Sequence, residues 1–136
     1  MVAAEAERRG FKKVGILGTK YTMTGPVYPG ALGRRGIGWD IPDEADRMNI
    51  NAIIFDELCL GVFRDESRDA YVRIIEKLAE NGCDAVALVC TEIPLLISDA
   101  VSPLPTLDST RLLAKVAVAV AVGDQPMPEW TGGPVE

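Results

Sequence analysis

Two periods of apolar residues run along this chain. Ala85–Val89, AVALV, is an unbroken apolar run after the helix stop Asn81-Gly82, and it predicts a strand buried on both faces, as in a parallel sheet. Just before it, Asp65–Glu80 has the helical period: Ala70, Tyr71, Ile74, Ile75, Leu78 and Ala79 face in, while Arg68, Asp69, Arg73, Glu76, Lys77 and Glu80 face out. Lys13–Leu17, KVGIL, predicts a first strand and Gly38–Ile41 a second near an edge, closed by Pro42. Asp43 is placed to cap a helix with Glu44 and Asp46 in its first turn. On that helix Ala45, Met48, Ala52, Phe55 and Cys59 form an apolar stripe, widened by Ile53, Ile54 and Leu58, so the helix should be covered on more than one side, with Cys59 in the packing.

Weaker signals complete the order. Val2–Arg9 looks like the end of a helix stopped at Gly10, and Pro29–Gly36 is a short helix or turn. Leu104–Leu107 suits a last strand, followed by Asp108 or Ser109 as the cap of a helix from near Thr110. The Val/Ala alternation of LLAKVAVAVAVG would also suit a strand, but its length and the preceding cap favour a helix. Residues 123–136, rich in Pro and Gly around Trp130, read as a loose tail. Strands alternating with helices imply an α/β fold with a mostly parallel sheet flanked by helices.

The chemistry points to Cys90, the thiol that ends the central strand. Open α/β sheets bind ligands at the carboxyl ends of their strands. Thr91 can cap a following helix, with Glu92 in its first turn and Pro94 where a missing N–H costs nothing. A helix dipole there would help pull the thiol below its free pKa of about 8.5. The first strand runs into Gly18-Thr19-Lys20-Tyr21-Thr22-Met23, a loop of hydroxyls and amides suited to holding a carboxylate.

Composition narrows the class. The chain has 136 residues, 48% of them hydrophobic, enough for one domain with a real core. A net charge of −6 leaves no basic patch and argues against nucleic acid and anionic membrane surfaces as partners. Three irregularly spaced cysteines and no histidine give neither a disulfide framework nor a zinc cluster, and a reducing cytoplasm is the simplest home. The start MVAAEAERRG lacks the apolar core of a signal peptide, and Val116–Val122 is too short to span a bilayer. No metal, nucleotide or pyridoxal cofactor is indicated.

CTEIPLL after an apolar strand, IIFDELCLGVF at Ile53–Phe63 and IPDEADR at Ile41–Arg47 occur in an order that resembles the aspartate/glutamate racemases, cofactor-independent amino-acid racemases. The resemblance runs from about Lys12 to about Ala121. It implies one lobe of a two-lobed α/β fold, the second, with each lobe supplying a proton-transferring group to the cleft between them. Residues 1–122 would then be the lobe, with residues 1–11 and 108–122 forming helices that pack on a first lobe absent from this chain. Carried over by motif, Cys90 is the general acid/base, Thr91 a ligand of the substrate's amino or carboxylate group, and Thr19 and Thr22 candidates for its carboxylates.

Glu92 fits the motif and is equally explained by helix N-terminal charge. Val89 stands where the family usually has Gly, Leu60 where some members carry a lysine for the side-chain carboxylate, and Leu113 where a His is common. The expected partners are therefore a small amino acid and either the missing lobe or a second copy of the chain. Apolar faces on Leu112–Val122 and Ala45–Leu60 should be left bare in a lone lobe. The alternative function is a non-catalytic relic or amino-acid-binding module on the same fold.

Overall fold

The computed structural model describes residues 1–128. Their sheet is built from β1 (Lys13–Leu17), β2 (Gly38–Asp40), β3 (Ala85–Leu88) and β4 (Thr106–Asp108), all parallel, in the spatial order β2-β1-β3-β4. Every residue of β3 is buried, as its apolar run requires of a strand covered on both faces. The β1–β3 register pairs Gly15 with Val86 and Leu17 with Leu88. The Asp84 carboxylate accepts the backbone N–H groups of Lys12 and Lys13 at 2.7 and 3.1 Å and ties the two central strands together where they start.

Helices α1 (Val2–Arg8), α2 (Lys20–Thr24), α3 (Val27–Gly33), α4 (Glu44–Asp56), α5 (Asp65–Glu80), α6 (Ile93–Leu96) and α7 (Ser109–Ala121) flank the sheet. The α5 boundaries match the sequence expectation, and Ser67, Ala70, Tyr71, Ile74, Ile75 and Leu78 are its buried residues. Gly15 sets how close α5 comes: a Cβ at that position would fall 2.8 Å from Leu78 Cδ1 and 3.1 Å from Val86 Cγ1, so only glycine admits the helix at this depth. Asp43 caps α4 by accepting the Asp46 N–H, and Asp108 caps α7 by accepting the Arg111 N–H. Residues 109–121 are thus helix, the cap deciding against the strand that their Val/Ala alternation allowed.

Three expectations change. The Gly18–Met23 segment is not an open loop, because Thr19 caps the short helix α2. On α4 the buried residues are Ile50, Ile53 and Ile54, whereas Met48 and Phe55 are exposed. Cys59, in the 3-10 turn Leu58–Leu60, is exposed rather than packed. The proposed stripe took the wrong edge of a helix that is apolar on both. The last helix differs from α5 in the opposite sense: α7 has no buried residue, and Leu113 and Val118 are 55% and 62% exposed. Of the tail, only residues 123–128 fall within the described part, and Trp130 lies outside it.

Candidate active site

Cys90 sits two residues past the end of β3, half-buried, where the Val89 N–H still donates to Leu17 O at 2.8 Å and carries the ladder one step further. Its thiol donates to Glu92 Oε2 at 3.0 Å, and the Thr91 hydroxyl donates to the same oxygen at 2.6 Å. Thr91 therefore does not cap α6. The N-cap position is Glu92, no side chain caps it, and the helix is a single turn with Pro94 near its start. Thiol and hydroxyl thus converge on one carboxylate oxygen.

This geometry reverses the expected titration of the thiol. Burial pushes Cys90 up to about 11, and the negative Glu92 carboxylate that accepts its proton pushes the same way. The backbone N–H groups of Glu92 and Ile93 act in the opposite direction and do not prevail. A one-turn helix has little dipole to offer, so burial, reinforced by the anionic neighbour, decides the sign. Glu92 is shifted the other way, its carboxylate held below its ordinary range by the hydrogen bonds from Cys90 and Thr91. At neutral pH the pair is thus a thiol against a carboxylate.

Cys90 and Thr91 open on a cavity of about 500 Å³, whose walls include Val2 and Ala3 of α1, Tyr28 and Ala31 of α3, and Ser109 and Leu113 of α7. Ser109 donates its hydroxyl to Leu88 O at 2.9 Å, holding the start of α7 against the end of β3. Burial raises the Tyr28 phenol and the neighbouring Ser109 hydroxyl partly offsets this, so Tyr28 stays a neutral donor in the wall. Tyr28 and Ser109 were not singled out from sequence: nothing in their local pattern separates them from an ordinary helix tyrosine and a capping serine. Leu113 faces this cavity, whereas Leu60 is exposed on its 3-10 turn.

Thr19 and Thr22 lie at the neighbouring strand end but do not line that cavity. The Thr19 Oγ1 accepts the Thr22 N–H at 3.3 Å and lies 3.0 Å from the Thr22 Oγ1, so the two hydroxyls are paired. Between them and the thiol stands Val89. Its Cγ2 occupies the space over Gly18, 2.8 Å from where a Cβ there would be, so its extra bulk is directed at the glycine. Among the described residues no group of three or more His, Cys, Asp and Glu side chains could hold a metal. No helix among them is long and apolar enough to cross a membrane.

The thiol and the carboxylate thus stand in hydrogen-bond contact at the end of a central strand of a parallel α/β sheet. The chain belongs to the Asp/Glu/hydantoin racemase family, whose sequence profile matches residues 1–117. It is similar to a Yersinia pestis protein assigned to the Asp/Glu racemases, with 40% identity and a TM-score of 0.83 over 89% of this chain and 53% of that one. An aspartate racemase homologue of Pyrococcus horikoshii OT3 shares 34% identity with a TM-score of 0.75, covering 86% of this chain and 53% of its own. The aspartate racemase of Picrophilus torridus shares 30% identity with a TM-score of 0.70, over 90% and 50%. The chain therefore spans about half the length of the solved structures it matches.

Proposed function

We propose that this chain is one lobe of an amino-acid racemase of the aspartate/glutamate type, acting in the cytoplasm without a cofactor, with Cys90 as one of two acid/base groups. Racemisation removes the α-proton from one face of the substrate and returns a proton to the other, which needs a group on each side. Cys90 supplies one. The other belongs to a second lobe facing the cavity, and α1 and α7, with residues 1–11 and 108–122, are the helices that would meet it. The observation that carries this reading is the thiol in contact with Glu92 at the mouth of a 500 Å³ cavity, at the carboxyl end of β3.

The thiol's raised pKa supports a resting role as the acid. A group pushed up to about 11 keeps its proton at neutral pH and serves first as the acid, delivering that proton to the carbanion. In the reverse direction Cys90 must start as thiolate, and closure by the second lobe would bring donors to offset the Glu92 charge. Thr91 binds the substrate's amino or carboxylate group. Thr19 and Thr22 address the substrate carboxylates through the hydroxyl hydrogen that their mutual pairing leaves free.

The test is α-hydrogen exchange. The chain joined with a complementary lobe is incubated with L-aspartate or L-glutamate in deuterated water, and deuterium at the α-carbon is followed by NMR. Exchange that disappears in Cys90→Ser is the expected result, and its absence from a demonstrably two-lobed assembly would overturn the reading. The second reading, a binding module without catalysis, draws on the same raised thiol pKa. It would show amino-acid binding with no exchange.

A further inference from the structure

Tyr71 is fully buried in the core, yet its hydroxyl has no hydrogen-bond partner among the described residues. Buried polar groups are nearly always paired, so such an exception needs a cause. The fold shows what lies near it. α5 reverses through Asn81-Gly82 into β3 and therefore runs against the strand, with Leu78 packed over Gly15 beside Val86. Two helical turns back from Leu78 to Tyr71 rise about 10 Å. From Val86 to Cys90 the strand direction advances about 13 Å. By strand alternation Val86 and Leu88 share the face that α5 covers, and Tyr71 is carried to the level of the strand end, where its phenol feels the charge of the Cys90 sulfur.

On the reading that Cys90 is the acid/base group, we propose that the Tyr71 hydroxyl is an internal hydrogen-bond donor to the Cys90 sulfur, engaged when that sulfur loses its proton. Tyr71 is then a positioning residue that reaches the chemistry only through Cys90. The thiol in its protonated state spends its hydrogen on Glu92, and the phenol waits. Once the proton has gone, a thiolate faces the Glu92 carboxylate, and a donor from below the sheet is what lowers the cost. Burial first, and then the negative sulfur of Cys90, push the Tyr71 phenol far above its ordinary range, so it stays a donor at every working pH. The titratable groups around the sulfur are Glu92 on its own turn, Tyr71 from α5, and Tyr28 from α3 across the cavity.

The experiment compares the full chain with Tyr71→Phe, which removes one oxygen and keeps the ring. Alkylation of Cys90 by iodoacetamide is followed across pH, resolved by site with mass spectrometry, with the exposed Cys59 as internal control. Loss of a donor to a charged sulfur should raise the Cys90 pKa by about one unit, which slows its alkylation about tenfold below that pKa. Cys59 should be unaffected. An unshifted or lowered Cys90 profile overturns the proposal, as does a folded-state melting point that falls while the profile stays put, since the hydroxyl would then serve structure alone. Failure of the racemase reading shows separately, as α-hydrogen exchange that is absent from a two-lobed assembly or independent of Cys90.

Discussion

The carboxyl ends of β1 and β3 lie side by side and dispose of their polar groups in opposite ways. After β1 the Thr19 hydroxyl receives the Thr22 N–H, and Asn51 Oδ1 accepts the Lys20 N–H, so the start of α2 is satisfied by neutral hydrogen bonds. After β3 the turn carries Glu92 back onto the sulfur, and thiol and hydroxyl converge on one carboxylate oxygen. The first arrangement secures a helix. The second holds a proton between two groups whose affinities for it have been pushed in opposite directions. Position in a parallel sheet marks both ends as places for a ligand, but only at one of them does the following turn deliver a charge that shifts proton affinities.

The contrast can be broken by substitution. The largest effect expected is on Cys90→Ser, which should reduce α-hydrogen exchange in a two-lobed assembly by roughly 10²- to 10⁴-fold, the usual worth of a positioned acid/base group. An equal loss in Thr19→Ala would erase the distinction between the two ends. Next comes Glu92→Gln, which keeps an acceptor for the thiol but removes the charge. Alkylation of Cys90 at mildly alkaline pH should accelerate up to about tenfold, short of a normal thiol because burial remains. An unchanged rate would show that the carboxylate does not govern the sulfur.

Thr19→Ala should act on stability and on substrate binding rather than on proton transfer. Loss of an N-cap costs about 1 kcal/mol in denaturant titration, and the Cys90 alkylation profile should not move.

The smallest effect is in the pH dependence of unfolding. A thiol raised from 9.0 to about 11 in the folded chain favours the folded state while it is protonated. Its contribution is fully present below pH 9 and is lost as pH rises through 11. Cys83, buried and likewise pushed up to about 11, loses stability in the same window. Cys90→Ser should therefore make the alkaline decline shallower without abolishing it, as read from denaturation midpoints across that range.

Much of this was legible in the letters. The unbroken apolar run of β3, the helical period of α5 and the caps Asp43 and Asp108 each rest on local rules that tertiary structure did not override. The motif at Cys90 pointed to the strand end where thiol, hydroxyl and carboxylate converge. The face of α4 was not legible, since a helix apolar on two sides leaves periodicity no unique answer, and the exposed Met48 and Phe55 are the side left over. Nor was the titration of Cys90. It depends on whether the turn after the strand aims the Glu92 carboxylate at the sulfur or away from it, a matter of a few torsion angles that residue types do not specify. The Tyr71 hydroxyl was hidden for a similar reason: in a pattern it is one more inward aromatic, and only the surrounding atoms reveal that nothing answers it.

The absence of a side chain at Gly15 has reach beyond its own neighbourhood. α5 behaves as a stiff rod, seated at one end by Leu78 in the gap that glycine leaves. A single methyl introduced there would act as a wedge, tilting the rod about its foot and shifting the phenol two turns further along it. On the proposal that the phenol serves the sulfur, proton affinity at the cavity mouth would thus be tuned from partway down the sheet, through a glycine on a neighbouring strand.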